Sequence, residues 1–473
     1  MYKQLLLLTL FTGISLGSQA QKYKPDWKSL DSRPIPTWFE DAKFGIFIHW
    51  GVYSVPAWRK LEPGLYASYA EWYYARVMNN PDNGGKAFHE KNYGKDFQYR
   101  DFAPMFRAEL FDPDFFAELF KKAGAKYVVL TTKHHDGFCL WPTKSPYKKN
   151  WNSMDVGPKR DLVGDLTRSV KAAGLRMGVY YSIIEWESSK THRTESGYYV
   201  PEEIVKKYKI PEDEYVDKHL IPQLKELVTN YKPSLIFSDG GEWDGSAEYF
   251  KTKEFLAWLY NDSPVKDEIV VNDRFCKGMP GKHGDYYSSE YKDMKETGAF
   301  HPWEESRGVG GSYGFNRAEN LEDYSSSHDL ILELVDIVSR GGNLLLNVGP
   351  TADGRIPVIM QERLTDIGNW LKVNGEGIYG TRKYKIPHIK TGDQNLYFTT
   401  KKNELFCIFT KWKDRTEFGL NNGEKVKNVS LLGYDGKIGW KQNGNNLEID
   451  IPKLTIDEIP CLSAWTFKIE MNK

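Results

Sequence analysis

Between residues 43 and 350 the chain repeats one pattern: a short water-avoiding run, a polar end, then a stretch with helical periodicity. The runs are KFGIFIHWG (43–51), KYVVLTTKHH (126–135), LRMGVYYS (175–182), SLIFSDG (234–240), IVVNDR (269–274), DYYSSE (285–290) and NLLLNVGP (343–350). Near-continuous apolar runs are the signature of strands buried on both faces, as in a parallel sheet covered by crossover helices. The intervening helices have readable ends. Asp112-Pro113 opens one that Gly124 closes, and Gly174 closes another, where a left-handed cap needs no Cβ. Leu162, Leu166 and Val170 recur at helical spacing, as do Val216, Leu220, Leu224 and Leu227. Seven or eight such units fit a (β/α)8 barrel better than an open sheet, and such a barrel carries its chemistry at the C-terminal strand ends.

The polar residues fall at those ends. His49 closes the first run, His134 and His135 the second, Asp239 the fourth, Arg274 the fifth and Glu290 the sixth. A chain of 473 residues exceeds what the barrel needs, and beyond about 380 the pattern changes. NLYFTTKKNELFCIFT, NNLEIDI and AWTFKIE alternate with period two, separated by Asn-Gly turns at Asn422-Gly423 and Asn443-Gly444. The expected organisation is therefore an exported leader over 1–20, a barrel domain over 21–380 and an antiparallel β-sandwich over 381–473. Packing against the barrel is the expected role of the sandwich, ahead of sugar binding.

The leader reading rests on MYKQLLLLTLFTGISLGSQAQK: Lys3, an apolar stretch from Leu5 to Leu16, and a small-residue cleavage site at Ser18-Gln19-Ala20. It points to export by a bacterial cell, to the periplasm or beyond. No later stretch is apolar for long enough to span a bilayer. Lys+Arg and Asp+Glu are both 64, and no basic block stands out, so nothing invites nucleic acid. Cys139, Cys276, Cys407 and Cys461 form no metal or redox spacing; buried thiols with at most one disulfide are expected. Oligomeric state is not legible.

Asp239, in LIFSDGGEWDG, follows an apolar strand and precedes a glycine-rich turn, so its side chain is expected at the barrel mouth. Glu290 ends a later strand. An Asp and a Glu in one barrel mouth point to glycoside hydrolysis, with one carboxylate as nucleophile and one as proton donor. Glu242, Asp244 and Asp285 lie nearby in sequence, so spacing alone leaves the partner open. A metal reading of His134, His135 and Asp136 fails on geometry: neighbours on a strand face opposite ways, and no HExxH or cysteine-pair spacing is present.

FGIFIHWGVYSVPAW, YAEWY, TTKHHDGFCLW, GVYYS, VNDR, SYGFNR and GGNLLLNVGPTADGRIP occur in this order over nearly all of residues 35 to 385. This series resembles the family 29 glycoside hydrolases, the retaining α-L-fucosidases. The resemblance implies that Asp239 is the nucleophile and Glu290 the general acid/base, with Glu304 of PWEESRG the rival for the second role. It implies hydroxyl-binding histidines at His49, His134 and His135, and a carboxylate beside aromatic walls at Tyr69, Glu71 and Trp72. Tyr181 and Arg274 would orient the nucleophile and keep it ionised, and Phe237 and Tyr313 would wall the sugar's methyl group. Phe237 departs from the tryptophan many members carry there. The implied substrate is a fucosylated oligosaccharide or glycoconjugate, with no cofactor and no metal. A non-catalytic fucose-binding protein and an α-L-galactosidase are the alternatives; linkage preference is not legible. Asn347 and Asp353 are expected to fix loops, and Asp136-Gly137 to end a strand.

Overall fold

The computed structural model describes residues 23–472 apart from 65, 79–83, 189–192, 195–196, 199 and 292–300. The expected leader over 1–20 lies outside the described residues. Eight parallel strands form the first sheet: β1 (Phe44–Ile48), β2 (Tyr127–Lys133), β3 (Arg176–Ser182), β4 (Leu235–Asp239), β5 (Val270–Val271), β6 (Tyr287–Glu290), β7 (Trp303–Gly308) and β8 (Asn343–Val348). They pair in the order β5-β4-β3-β2-β1-β8-β7-β6. That is the cyclic order of a (β/α)8 barrel, with its seam between β5 and β6.

The seam is joined by other means. The amides of Asp285 and Tyr286 donate to Val271 O at 3.0 and 3.3 Å, and the Asp285 carboxylate accepts from Val271 N at 2.9 Å. Arg33 pairs with the same carboxylate at 3.1 Å and the Tyr260 hydroxyl donates to it at 3.0 Å. Asp285 is thus committed to closing the barrel. Strand β7 escaped the sequence pattern because WEESRG is polar on its face; it is recruited by pairing with β6 and β8, not by its own hydrophobicity.

Inside the barrel Phe47, Tyr127, Val129, Tyr180, Phe237 and Leu345 fill the lumen, while alternate residues pack under the helices. The helix Pro113–Lys122 starts as expected, with the Asp112 side chain capping the amides of Asp114 and Phe115. Gly124 (φ 87°) and Gly174 (φ 83°) take the left-handed positions that follow their helices.

Beyond residue 380, eight strands form two antiparallel sheets: β9 (Arg382–Thr391), β10 (Gln394–Lys401), β11 (Glu404–Phe409), β13 (Val426–Leu431) and β16 (Trp465–Met471) in one, and β12 (Arg415–Gly419), β14 (Trp440–Asn443) and β15 (Asn446–Asp450) in the other. Leu396, Phe398, Phe409, Phe418, Leu447 and Phe467 share a core of their own, which makes a sandwich. It packs on the barrel through Tyr397, Ile408 and Ala464, which belong to the barrel's core, and Trp370 Nε1 donates to Ala464 O at 2.8 Å. All four cysteines are free thiols, so the disulfide allowed by the count does not form.

Candidate active site

At the C-terminal strand ends lies a cavity of about 580 Å3, within the roughly 300–1,000 Å3 usual for small-ligand sites. His49, Tyr69, Glu71, Trp72, His134, His135, Phe237, Asp239, Arg274, Glu290 and Tyr313 all line it. Among the binding residues expected from sequence, Tyr181 alone does not. Its hydroxyl donates to Gln223 Oε1 at 2.8 Å, within the helical layer outside the barrel. Tyr180 takes the expected place, donating to Asp239 Oδ2 at 2.7 Å. The registers Tyr180↔Phe237 and Ser182↔Asp239 put residues 180 and 182 on the lumen face. In VYYS both tyrosines are apolar enough to be buried on either side, so strand phase was not readable there.

Asp239 ends β4 and is surrounded by donors. Besides Tyr180, Arg274 NH1 lies 3.3 Å from Oδ1 and His135 Nε2 lies 3.3 Å from Oδ2. Burial would push its carboxyl up, but His135, Arg274 and Tyr180 together outweigh this and hold it well below the usual carboxylate range. The same Arg274 nitrogen donates to Glu290 Oε1 at 2.6 Å. One nitrogen bridging both carboxylates puts the bonded oxygens no more than about 6 Å apart, which is compatible with the ~5–5.5 Å carboxyl separation of retaining glycosidases. Arg274 is itself held by Ser288, which accepts from Nε at 2.9 Å and donates to Asp273 at 2.8 Å.

The rival carboxyl is elsewhere. Glu304, near the start of β7, is fully buried in the barrel and accepts from the Tyr127 hydroxyl. It sits two rungs below Ser306, the partner of Glu290 in the β6–β7 ladder, and does not line the cavity.

Both adjacent histidines reach the cavity; β2 ends at Lys133, so the divergence of neighbours on a strand does not apply to them. The β2–β3 register shifts between Thr131 and Lys133, so β2 bends before its end. The imidazole centroids then lie 4.5 Å apart. His135 Nδ1 lies 2.6 Å from Ser182 Oγ, while His134 Nδ1 is buried without a partner among the described residues. Burial pushes the His134 pKa well down and lowers that of His49 to about 4, so both rings are neutral. His49 Nδ1 lies 2.7 Å from Asn347 Oδ1, whose amide nitrogen is committed to Tyr313 O at 2.7 Å. Nδ1 therefore carries the proton, leaving Nε2 as an acceptor. Asn347, expected only to fix a loop, sets the tautomer of a pocket histidine. Asp136 and Gly137 form the turn: Gly137 N donates to His134 O at 2.9 Å, and the Asp136 carboxylate accepts from Phe138 N and the Tyr99 hydroxyl.

Glu71 accepts from Gly314 N at 2.9 Å and from Ser312 at 3.2 Å, yet burial outweighs these bonds and lifts its pKa to about 7. Tyr313 stacks on His49 with centroids 4.8 Å apart, and Phe237 packs on Phe47 at 5.1 Å. These rings make one wall and the floor apolar. Sequence reasoning missed Phe47, Tyr66, Arg76, Glu242, Trp243, Asp273, Pro280 and Ser288 as lining residues. Phe47 was accessible, two positions before His49 on the same strand face, and Ser288 lies two before Glu290 on β6; Arg76, Glu242 and Trp243 sit on short helical turns and the rest on loops, where no periodicity marks them.

The profile of the family described as "Alpha-L-fucosidase" matches residues 11–376, and that described as "Alpha-L-fucosidase C-terminal domain" matches residues 390–470. The chain belongs to the α-L-fucosidase family. Tissue alpha-L-fucosidase of Homo sapiens is 41% identical over 473 residues, covering 98% of this chain and 96% of its own. An alpha-L-fucosidase of Branchiostoma floridae is 38% identical, covering 98% of this chain and 99% of its own. The crystal structure of Thermotoga maritima alpha-fucosidase with a mechanism-based inhibitor is 40% identical and superposes with a TM-score of 0.80, over 95% of this chain and 100% of that one.

Proposed function

We infer that the protein is a retaining α-L-fucosidase that removes terminal α-L-fucosyl residues from glycans by double displacement. The observation that carries the mechanism is the Arg274 nitrogen shared by Asp239 and Glu290. Asp239, ionised and aimed from its strand end, attacks the anomeric carbon and forms a fucosyl-enzyme ester. Glu290 protonates the departing oxygen, then takes a proton from the water that hydrolyses the ester. As Asp239 loses its charge in forming the ester, Arg274 remains paired with Glu290, so the guanidinium is not left uncompensated. His49, His134, His135 and Glu71 are the polar groups for the sugar hydroxyls. Phe47, Phe237 and Tyr313 provide the apolar surface that a methyl group requires in place of a hydroxymethyl group.

The N-terminal segment supports export, with a mature chain beginning near Gln21 and acting in the periplasm or outside the cell. N-terminal sequencing of the protein from cell fractions tests this; an intact Met1 on a cytoplasmic protein would refute it. For the chemistry, Asp239→Gly is assayed on an aryl α-L-fucoside with and without azide. Loss of turnover and rescue as β-L-fucosyl azide are expected, because the small anion enters from the side the carboxylate vacates. Undiminished activity in Asp239→Gly would remove it from the nucleophile's role.

A further inference from the structure

The cavity is a dead end with one open side. Its floor residues Phe47, His49, Tyr180, Phe237 and Tyr313 are almost entirely buried, whereas Trp243 is 41% exposed while lining the same cavity. An exo-acting enzyme must seat the terminal sugar at the closed end, so the rest of the glycan leaves past the open side.

The chain reaches that side directly from the nucleophile. Gly240 takes a left-handed conformation (φ 80°), and a Cβ on Gly241 would stand 2.2 Å from Phe275 O. The two glycines let the chain turn at the end of β4 and press against the loop after β5. The next residues, Glu242 and Trp243, line the cavity, Trp243 at its exposed side. The Trp243 ring lies 5.1 Å from His135 and 5.9 Å from Trp72, so it has a defined seat. Glu242 Oε2 is buried and has no hydrogen-bond partner among the described residues. Buried carboxyl oxygens are rarely left so, and one at the mouth of a sugar pocket has an evident partner in a ligand hydroxyl. Burial, then the neighbouring Asp239 charge, pushes the Glu242 pKa well above the usual carboxylate range, so it can donate as well as accept.

We propose that Glu242 and Trp243 form the subsite for the leaving sugar, the indole stacking on the C–H face of a neutral hexopyranose and the carboxyl hydrogen-bonding one of its hydroxyls. This rests on the fucosidase reading above and extends it to the other half of the scissile bond. The site favours oligosaccharides whose fucose is attached to a pyranose with an unsubstituted face. Binding on this side helps the departing oxygen settle beside Glu290, so the benefit appears only when the leaving group is large enough to reach the rim.

The test pairs two substrates. In α-L-fucosyl fluoride the leaving group is one atom and reaches neither residue; a fucosylated lactose trisaccharide has a full pyranose there. For Trp243→Ala, kcat/KM on the trisaccharide is expected to fall at least tenfold, mostly through KM, and on the fluoride less than threefold. Glu242→Leu should show the same split, and Glu242→Gln, which restores both a donor and an acceptor, should recover most of the loss. Equal losses on both substrates would place these residues with the nucleophile and overturn the subsite, as would no loss on either. A parent protein inert toward the fluoride would overturn the fucosidase reading itself, and the subsite with it.

Discussion

Glu304→Gln separates a buried acid from a catalytic one. Glu304 is fully enclosed in the barrel, and Tyr127 donates to one of its oxygens. Burial, only partly offset by the Tyr127 and Tyr286 hydroxyls, pushes its pKa up to about 8 from 4.5. The folded state therefore keeps a proton that the unfolded chain has released above pH 4.5, so this group's contribution to stability declines as pH rises and levels off above pH 8. At about 1.4 kcal/mol per pH unit, the loss between pH 5 and pH 8 is about 3 kcal/mol. Glutamine is neutral throughout and escapes that decline, but its amide replaces a carboxyl between the Tyr127 and Tyr286 hydroxyls, a mismatch of donors and acceptors that costs about 1–3 kcal/mol at every pH. The variant should thus be less stable than the parent at pH 5 and more stable at pH 8. Urea unfolding followed by tryptophan fluorescence at both pH values reads the crossover, since every other buried carboxyl is common to the two proteins. Activity on an aryl α-L-fucoside should stay within threefold of the parent, whereas Glu290→Gln loses about 100-fold or more on substrates with poor leaving groups. Parallel stability profiles would refute the buried-acid reasoning; a collapse of activity in Glu304→Gln would move the proton donor to β7.

Three further expectations concern the pocket. Tyr180→Phe removes a hydrogen bond to the charged nucleophile, worth about 1.5–3 kcal/mol, and should cost about tenfold or more in kcat/KM. Tyr181→Phe should change kcat/KM less than twofold, and equal effects would contradict the strand phase. Arg274→Gln withdraws the cation that helps keep Asp239 ionised. The Asp239 pKa then rises, so kcat/KM starts to fall at a higher pH on acidification than in the parent; an unmoved acid limb would refute the role of this pair. An aryl α-L-galactoside should be cleaved about 10- to 100-fold less efficiently than the fucoside, because an apolar wall discriminates only modestly against one added hydroxyl. Equal kcat/KM values for the two would argue against the methyl-binding wall.

The barrel and its active end were legible in the sequence because each rests on local chemistry. Apolar runs of strand length have to be buried on both faces, and polar residues at their C-terminal ends have one place to go. Asp239 and His49 could be placed at the barrel mouth for that reason, whereas Glu290 stood out from its acidic neighbours only through the family resemblance. What the sequence left open required neighbours distant along the chain. Whether Tyr180 or Tyr181 faces the lumen depends on the register of β3 against β4, since both side chains are content in a core. His134 and His135 share one cavity because β2 ends at Lys133, after a register shift against β3, and both follow that end. Strand β7 is polar and becomes a strand because β6 and β8 offer it unpaired edges. Glu290 and Glu304 are equivalent as letters at strand positions; the barrel puts one beside Arg274 in the open mouth and encloses the other beside Tyr127. The sequence by itself determined the strand runs and the end of the sheet at which polar side chains gather. The tertiary structure decided their environment, because burial and charge pairing arise only when the strands close around them.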